Sequence, residues 1–326
     1  MKVGIVGAGL IGQKRAEAAK KAGLNIAMIA DINLESAQKL ANTYNAKAVS
    51  DYKELTNSKE INIVVICAIH NVLAEITIDA INNKKHVLVE KPAAINSAEF
   101  NKIKEAMKNN PEVKVKVGYN HRFHPMIKKA KQMVNEGKIG EPIFIRARYG
   151  HGGRIGYEKE WRANKELSGG GELLDQGSHI IDLSRWFLGD FNEVKGFCET
   201  YFWDMKVEDN AFALLKTKEG KIASLHASWT QWKNLFSFEI AGKTGLITID
   251  GLGKSYGKET LTYYKEPAEL GPPITTKEEY DEDDTTWEEE FQNLNEAIKN
   301  NTQPNGTIND AAEVMRIIEK LYGENK

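Results

Sequence analysis

Over residues 1–120 the apolar positions fall into short, nearly unbroken runs. They are separated by longer stretches in which apolar residues recur every three or four positions. The runs KVGIV (2–6), NIAMIAD (25–31), a weaker one at 46–49, NIVVICA (62–68), HVLVE (86–90) and VKVKVGY (113–119) predict six strands. Between them the periodicity predicts helices over about 10–22, 33–44, 71–82 and 97–109. Continuous apolar strands alternating with helices are the signature of a parallel sheet covered on both faces, because each crossover helix lies on the sheet.

From about residue 141 the pattern changes. The runs 143–149, 193–200, 210–217, 221–229, 235–242 and 245–250 alternate polar and apolar residues, as a sheet with one covered face requires. The stretch LHASWTQW also places aromatic and small residues on the opposite face, which suits a partner subunit. The chain is expected to divide into domains at 1–120 and 121–326. The acidic run EEYDEDDTTWEEEF (278–291) reads as a helix start, with Thr286 and Glu289 as a capping box.

Composition narrows the function without naming it. The 326 residues are 41% hydrophobic and 28% charged, with a net charge of −2. No basic or amphipathic surface for nucleic acid or membrane is indicated. The apolar run 63–69 is too short to span a bilayer, and Met1-Lys2 runs directly into VGIVGAG without the pattern of a signal peptide. Two cysteines and seven histidines show no disulfide or metal-ligand spacing. A cytoplasmic, metal-free protein is expected.

The first strand leads into Gly7-Ala8-Gly9-Leu10-Ile11-Gly12, a GxGxxG turn between a strand and a helix. In that context Gly7 allows the tight turn, Gly9 lets the backbone approach a pyrophosphate, and Gly12 lets helix and strand pack. With Leu10 and Ile11 these glycines open a helix whose free N–H groups attract phosphate. Asp31 ends the second strand, 24 residues after Gly7, where a carboxylate can bind the adenosine ribose and repel a 2′-phosphate. Ile32 follows rather than an arginine, so NAD is expected over NADP.

The fifth strand ends in Val89-Glu90-Lys91-Pro92, and the chain continues through NHRFHP (120–125), GKIGEP (137–142), Trp161-Arg162, GGGELLDQGSHIIDL (169–183) and AAEVMRIIEKLY (311–322). In these motifs the chain resembles the glucose–fructose oxidoreductase/inositol dehydrogenase (Gfo/Idh/MocA) family over nearly its whole length. The resemblance implies a Rossmann domain followed by an α+β domain with a mostly antiparallel open sheet. It implies an NAD(P)-dependent dehydrogenase acting on a sugar, a cyclitol or a sugar derivative, assembled as a homodimer or homotetramer through the second sheet. One departure is that Ala68-Ile69-His70 and Leu73 stand where many members have Thr-Pro-Asn and a histidine. Ala68, His70, Glu90 and Lys91 are therefore expected at the cofactor, with altered contacts in the loop after the fourth strand.

Oxidising a secondary alcohol needs a hydride acceptor, a base for the hydroxyl proton, and stabilisation of the charge developing on oxygen. On the family motif, Lys91 supplies a compact cation, with Pro92 holding it extended, and His179 supplies the base. Asp175, four residues earlier and on one helix face with His179, is expected to orient that ring or bind substrate. Gly169–Gly171 and Gly177 are expected to leave room for nicotinamide and substrate, and Gly189 to end the helix.

The polar loop 149–162 offers Tyr149, His151, Arg154, Tyr157, Trp161 and Arg162 to line a sugar site, with aromatics packing on ring faces. Asn120 and Arg122 are expected at the substrate crevice, and His121 and His124 are compatible with a structural role. Three functions compete. They are an NAD-dependent sugar or polyol dehydrogenase (a nucleotide-sugar enzyme included), a glycoside hydrolase using bound NAD transiently, and a non-catalytic NAD-binding sensor. Lys91, Asp175 and His179 together argue against a sensor, which needs no base.

Overall fold

A computed structural model of the chain describes residues 1–267 and 269–324. The described residues form two compact units, one of residues 1–120 with 285–312, the other drawn from 121–284 with 313–324. The expected division at 120 and 121 thus needs one correction: residues 285–312 return to the first unit.

In the first unit the elements run Lys2–Val6 (β1), Leu10–Lys21 (α1), Asn25–Ala30 (β2), Leu34–Tyr44 (α2), Lys47–Val49 (β3), Tyr52–Thr56 (α3), Ile63–Ile66 (β4), His70–Asn82 (α4), His86–Val89 (β5), Ser97–Asn109 (α5) and Val115–Val117 (β6). The strands make one parallel sheet in the order β3-β2-β1-β4-β5-β6. Between β1 and β4 the strand order reverses, and in such sheets ligands bind outside the carboxyl ends of the strands at that point. Ile5, Ile29, Ile63, Val65 and Leu88 are fully buried, which explains why their strands read as continuous apolar runs. The short α3 has no apolar periodicity to reveal it; Asp51 caps it by accepting from the Lys53 amide at 2.9 Å.

The return of 285–312 has a physical cause. Phe291 and Leu294 enter the same apolar cluster as Val3, Ala19 and Ile26. Beside them Arg15 of α1, entirely buried, donates to Glu90 and to Glu290, each at 2.6 Å, and its guanidinium lies 4.3 Å from the Trp287 ring centre. Burial opposes the charge on Arg15, but the two carboxylates outweigh it and the group stays protonated. A buried arginine without both acids would be costly, so the returning segment completes this core electrically as well as sterically.

The second unit continues with Pro125–Asn135 (α6), Pro142–Gly150 (β7), Lys165–Ser168 (α7) and Ser178–Leu188 (α8). Then come Phe191–Glu199 (β8), Asn210–Thr217 (β9), Ile222–Ser228 (β10), Leu235–Gly242 (β11), Gly245–Asp250 (β12), Glu259–Lys265 (β13) and Ile274–Tyr280 (β14). Its eight strands order β14-β13-β12-β11-β7-β10-β9-β8; β7 and β10 are parallel and every other pair is antiparallel. Strands β8, β9 and β10 alternate buried and exposed residues over most of their length. Phe197, Phe212, Leu214 and Ile222 stand on their exposed side. Strand β14 is exposed along nearly all of ITTKEEY, so it has no apolar face to read, and it takes up the start of the acidic run. The helix beyond, Thr286–Asn300 (α9), begins one residue after Thr285, whose hydroxyl meets Glu289 at 3.1 Å; Thr286 lies inside the helix and is not its cap. The last helix is Ile308–Glu324 (α10). Among the described residues no helix is long and apolar enough to cross a membrane.

Candidate active site

The glycine turn after β1 takes the form its spacing predicts. Gly7 has φ +98°, and a Cβ there would lie 2.6 Å from the Cys67 carbonyl oxygen. A Cβ on Gly12 would lie 1.9 Å from the Gly7 carbonyl oxygen, so no larger residue lets α1 start this close to the turn. Gly9, by contrast, faces open space, and Leu10 and Ile11 open α1 beside it. Asp31, past the end of β2, accepts from the Ala8 amide through Oδ2 at 2.7 Å and from the Asn33 amide through Oδ1 at 2.8 Å. The carboxylate is therefore locked to the turn itself. A helix N-terminus, an open glycine and a fixed carboxylate fit a dinucleotide.

Glu90 follows β5, and its carboxylate turns inward to Arg15. Glu90, expected at the cofactor, stands directly before Lys91 and is held by this buried ion pair. The Lys91–Pro92 peptide is cis, and Ala93 takes φ +70° and donates to the Glu90 carbonyl at 2.9 Å. Lys91 is partly exposed, as are Ala68 and Ile69, while His70 begins α4 and is buried.

The glycine-rich segment departs from a simple helix. Leu173–Gly177 forms a turn of π-helix that runs into α8 at Ser178. Such wide turns recur at functional sites, and this one contains Asp175 while His179 lies in α8 beyond it, so the pair does not have ordinary i, i+4 helix spacing. The glycines before it serve packing. A Cβ at Gly170 would sit 2.0 Å from the Tyr322 hydroxyl, and one at Gly171 2.0 Å from the Glu208 carbonyl oxygen. The room expected for nicotinamide at these two positions is filled by the unit's own side chains and backbone. Glu208 answers by accepting from the Gly171 and Leu173 amides at 3.0 and 3.1 Å and from Tyr322 at 2.8 Å. A Cβ at Gly177 would be less confined, 3.1 Å from a Leu173 methyl and 3.4 Å from the Ala227 methyl, and Gly189 ends α8 with φ +90°.

Asp175 accepts from Arg162 Nε at 3.1 Å. Burial disfavours charge on Arg162, but Asp175 and Glu160 more than compensate and keep it cationic. His151 faces the same group; its Nδ1 accepts from the Gly153 amide at 2.9 Å, and burial holds its pKa below the ordinary value. The result is a half-buried cluster of a carboxylate, a guanidinium and a neutral imidazole, rich in donors and acceptors at fixed positions.

His179 is buried at the start of α8, with its ring stacked on that of His121 at a centroid distance of 3.7 Å and an angle of 14°. His121 Nε2 lies 3.1 Å from the Tyr149 hydroxyl, and His124 Nδ1 lies 2.6 Å from Glu259. Tyr149 packs on Tyr256, whose hydroxyl accepts from Gln176 Nε2 at 2.7 Å. Only the histidine spacing in NHRFHP hinted at this network; Tyr149, Gln176 and Tyr256 have no motif to connect them.

The remaining expected substrate residues have other partners. Arg122 is buried in a two-pronged ion pair with Asp182 at 2.7 and 2.5 Å, tying the Asn120–Phe123 turn to α8. Asn120 donates to Thr286 at 3.3 Å within the first unit. Tyr157 is buried between Trp229 and Trp203. Arg154 is exposed and paired with Glu160, and Trp161 lies against the Arg162 guanidinium.

Residues 1–119 match the oxidoreductase family with an NAD-binding Rossmann fold, and residues 127–248 match the Gfo/Idh/MocA C-terminal domain. Inositol 2-dehydrogenase of Salmonella typhimurium is 29% identical over 200 residues, 60% of this chain and 57% of that one. Levoglucosan dehydrogenase of Pseudarthrobacter phenanthrenivorans is 26% identical over 251 residues, 68% of this chain and 64% of that one. The match thus spans less than two thirds of the length of either relative. A levoglucosan dehydrogenase complex with NADH and levoglucosan shares the fold, with a TM-score of 0.90 at 22% identity over 99% of this chain and 96% of that one.

Proposed function

From the premise that the chain belongs to the Gfo/Idh/MocA oxidoreductase family, we propose that it is an NAD-dependent dehydrogenase oxidising a secondary hydroxyl of a sugar or cyclitol. The observation that carries this reading is the Asp175–Arg162–His151 cluster one π-turn before a buried histidine, in a chain whose other unit holds an open GxGxxG turn. A polar cluster of that kind recognises vicinal hydroxyls, which donate and accept at once.

Bound NAD supplies the hydride acceptor. Gly9, the α1 N-terminus and Asp31 hold the cofactor's phosphates and ribose, and Asp31 sets the preference for NAD. His179 takes the hydroxyl proton; Lys91 steadies the negative charge left on that oxygen; Asp175 and Arg162 orient the sugar. The alcohol thereby loses one hydride and one proton and becomes a ketone. Arg154 and Arg162 are each committed to an acid, which favours an uncharged sugar over a nucleotide-sugar diphosphate. We place the enzyme in the cytoplasm, where Cys67 and Cys198 remain thiols, and as a homodimer or homotetramer joined through the exposed apolar residues of β8, β9 and β10.

A screen of NAD reduction at the nicotinamide absorbance across free sugars, inositols and UDP-sugars tests the reading. Turnover with a neutral sugar or inositol supports it. Turnover confined to UDP-sugars, or glycoside cleavage without net NAD reduction, would replace it.

A further inference from the structure

Four segments of the second unit converge behind His179. Gln176 of the π-turn donates to the Tyr256 hydroxyl at 2.7 Å. The Tyr256 ring packs edge-on against Tyr149, near the end of β7, with ring centres 5.0 Å apart, and the Tyr149 hydroxyl lies 3.1 Å from His121 Nε2. His121 closes the circuit by lying flat on His179, three residues after Gln176. Burial pushes the Tyr149 phenol well above its ordinary value, so it keeps its proton. Tyr149 and His121 Nε2 share one hydrogen bond, whose donor follows the His121 tautomer. Whichever atom donates, that bond holds the His121 ring from outside.

We propose that His121 is the positioning residue for His179: its ring fixes the plane of the base, and the stacked pair admits one positive charge and resists a second. This role rests on the reading of His179 as the base. Two imidazolium rings at 3.7 Å in a site shielded from water repel strongly, so their protonations are coupled and belong to the pair. The other ionisable groups facing the pair are Tyr149 and Tyr256, His124 with its partner Glu259, and, toward Tyr149, Glu172 and Asp175. Arg122, next to His121 in the chain, is neutralised by Asp182. A neutral face against His179 lets the base accept a proton during turnover, while a protonated His121 would hold it back.

Histidine NMR titration of the full-length chain tests this without turnover. In the wild type the His179 signals should move in two steps at least one pH unit apart. In His121→Phe they should move in one. Tyr149→Phe, which removes the bond to His121 Nε2, should change the His121 tautomer balance. In the kinetics, His121→Ala should lower kcat about tenfold or more with NAD affinity unchanged. His121→Phe, which keeps a flat ring, should recover most of that loss while retaining a shifted pH profile. Wild-type His179 signals that move in a single step, unchanged in a folded His121→Phe protein, would overturn the proposal. A fully active His179→Ala enzyme would instead overturn the base assignment on which the role depends, and the NMR titration separates the two failures because it reads the stack alone.

Discussion

Arg162 Nε and Asp175 Oδ2 are joined at 3.1 Å, so two residues that stand 13 positions apart act as one group. Asp175 is thereby tied to the loop that presents Arg162, and its effect should fall on substrate binding more than on proton transfer. We expect Asp175→Ala and Arg162→Ala to raise KM by similar factors and to lower kcat far less than His179→Ala does. Arg162→Lys should not rescue, because an ammonium lacks the guanidinium fork. Steady-state kinetics would contradict this if Asp175→Ala matched His179→Ala in kcat while Arg162→Ala was silent.

His179→Ala and Lys91→Ala should each lower kcat by about 10²–10⁴, the usual contribution of general-base help and of a cation at a developing alkoxide. NAD affinity, measured by fluorescence titration, should stay near that of the wild type. The rise of kcat with pH should vanish in His179→Ala. Near-normal turnover in that variant would mean another base acts.

The Asp31 carboxylate is fixed by two backbone amides, and the next side chain, Ile32, is 97% exposed. Position 32 is therefore free to present a longer side chain. Asp31→Ser with Ile32→Arg should move the ratio of kcat/KM values toward NADP. Equal wild-type efficiency with both cofactors would remove Asp31 as the selector.

His86 of β5 accepts from the Lys114 amide through Nδ1 at 3.0 Å, which only the unprotonated nitrogen can do. Burial, and then the Lys114 ammonium, hold its pKa below the ordinary histidine value. The unfolded chain therefore binds this proton more readily than the folded one. The stability His86 contributes is complete above about pH 6.5 and is lost as the pH falls through the depressed value. Urea denaturation at pH 7.5 and 5 should show a loss in the wild type that shrinks in His86→Leu. An equal loss in both proteins would assign the effect elsewhere.

The exposed residues Phe197, Phe212, Leu214 and Ile222 lie on three adjacent strands, and Phe197 and Phe212 are paired in register. Leu214→Glu should turn the assembly into smaller species in light scattering at micromolar concentration. A wild-type monomer would remove the proposed interface.

Both sheets and most of their strands were readable because burial writes itself into spacing: continuous in β4, alternating in β9. The rest depended on partners far along the chain. Nothing around Arg15 signals that it will be buried between residues 90 and 290, and nothing in ITTKEEY marks β14. The GGG segment had the right motif but an unforeseen reason, since Tyr322 and Glu208 occupy the space its missing side chains leave. His121 could be seen in the sequence, but its stacking on His179 could not. Spacing reveals which residues lie along one element, while the acids, rings and amides that complete a site come from several.

Because residues 285–312 belong to the first unit, that unit cannot finish folding when its first 120 residues leave the ribosome. At about 5–20 residues per second, roughly ten to thirty seconds pass before the helix bearing Phe291 and Glu290 is made. Until then Arg15 has one of its two acids, and the sheet lacks two of its apolar neighbours. A nascent chain stalled near residue 130 should therefore be open to protease and gain protection only once α9 has been made.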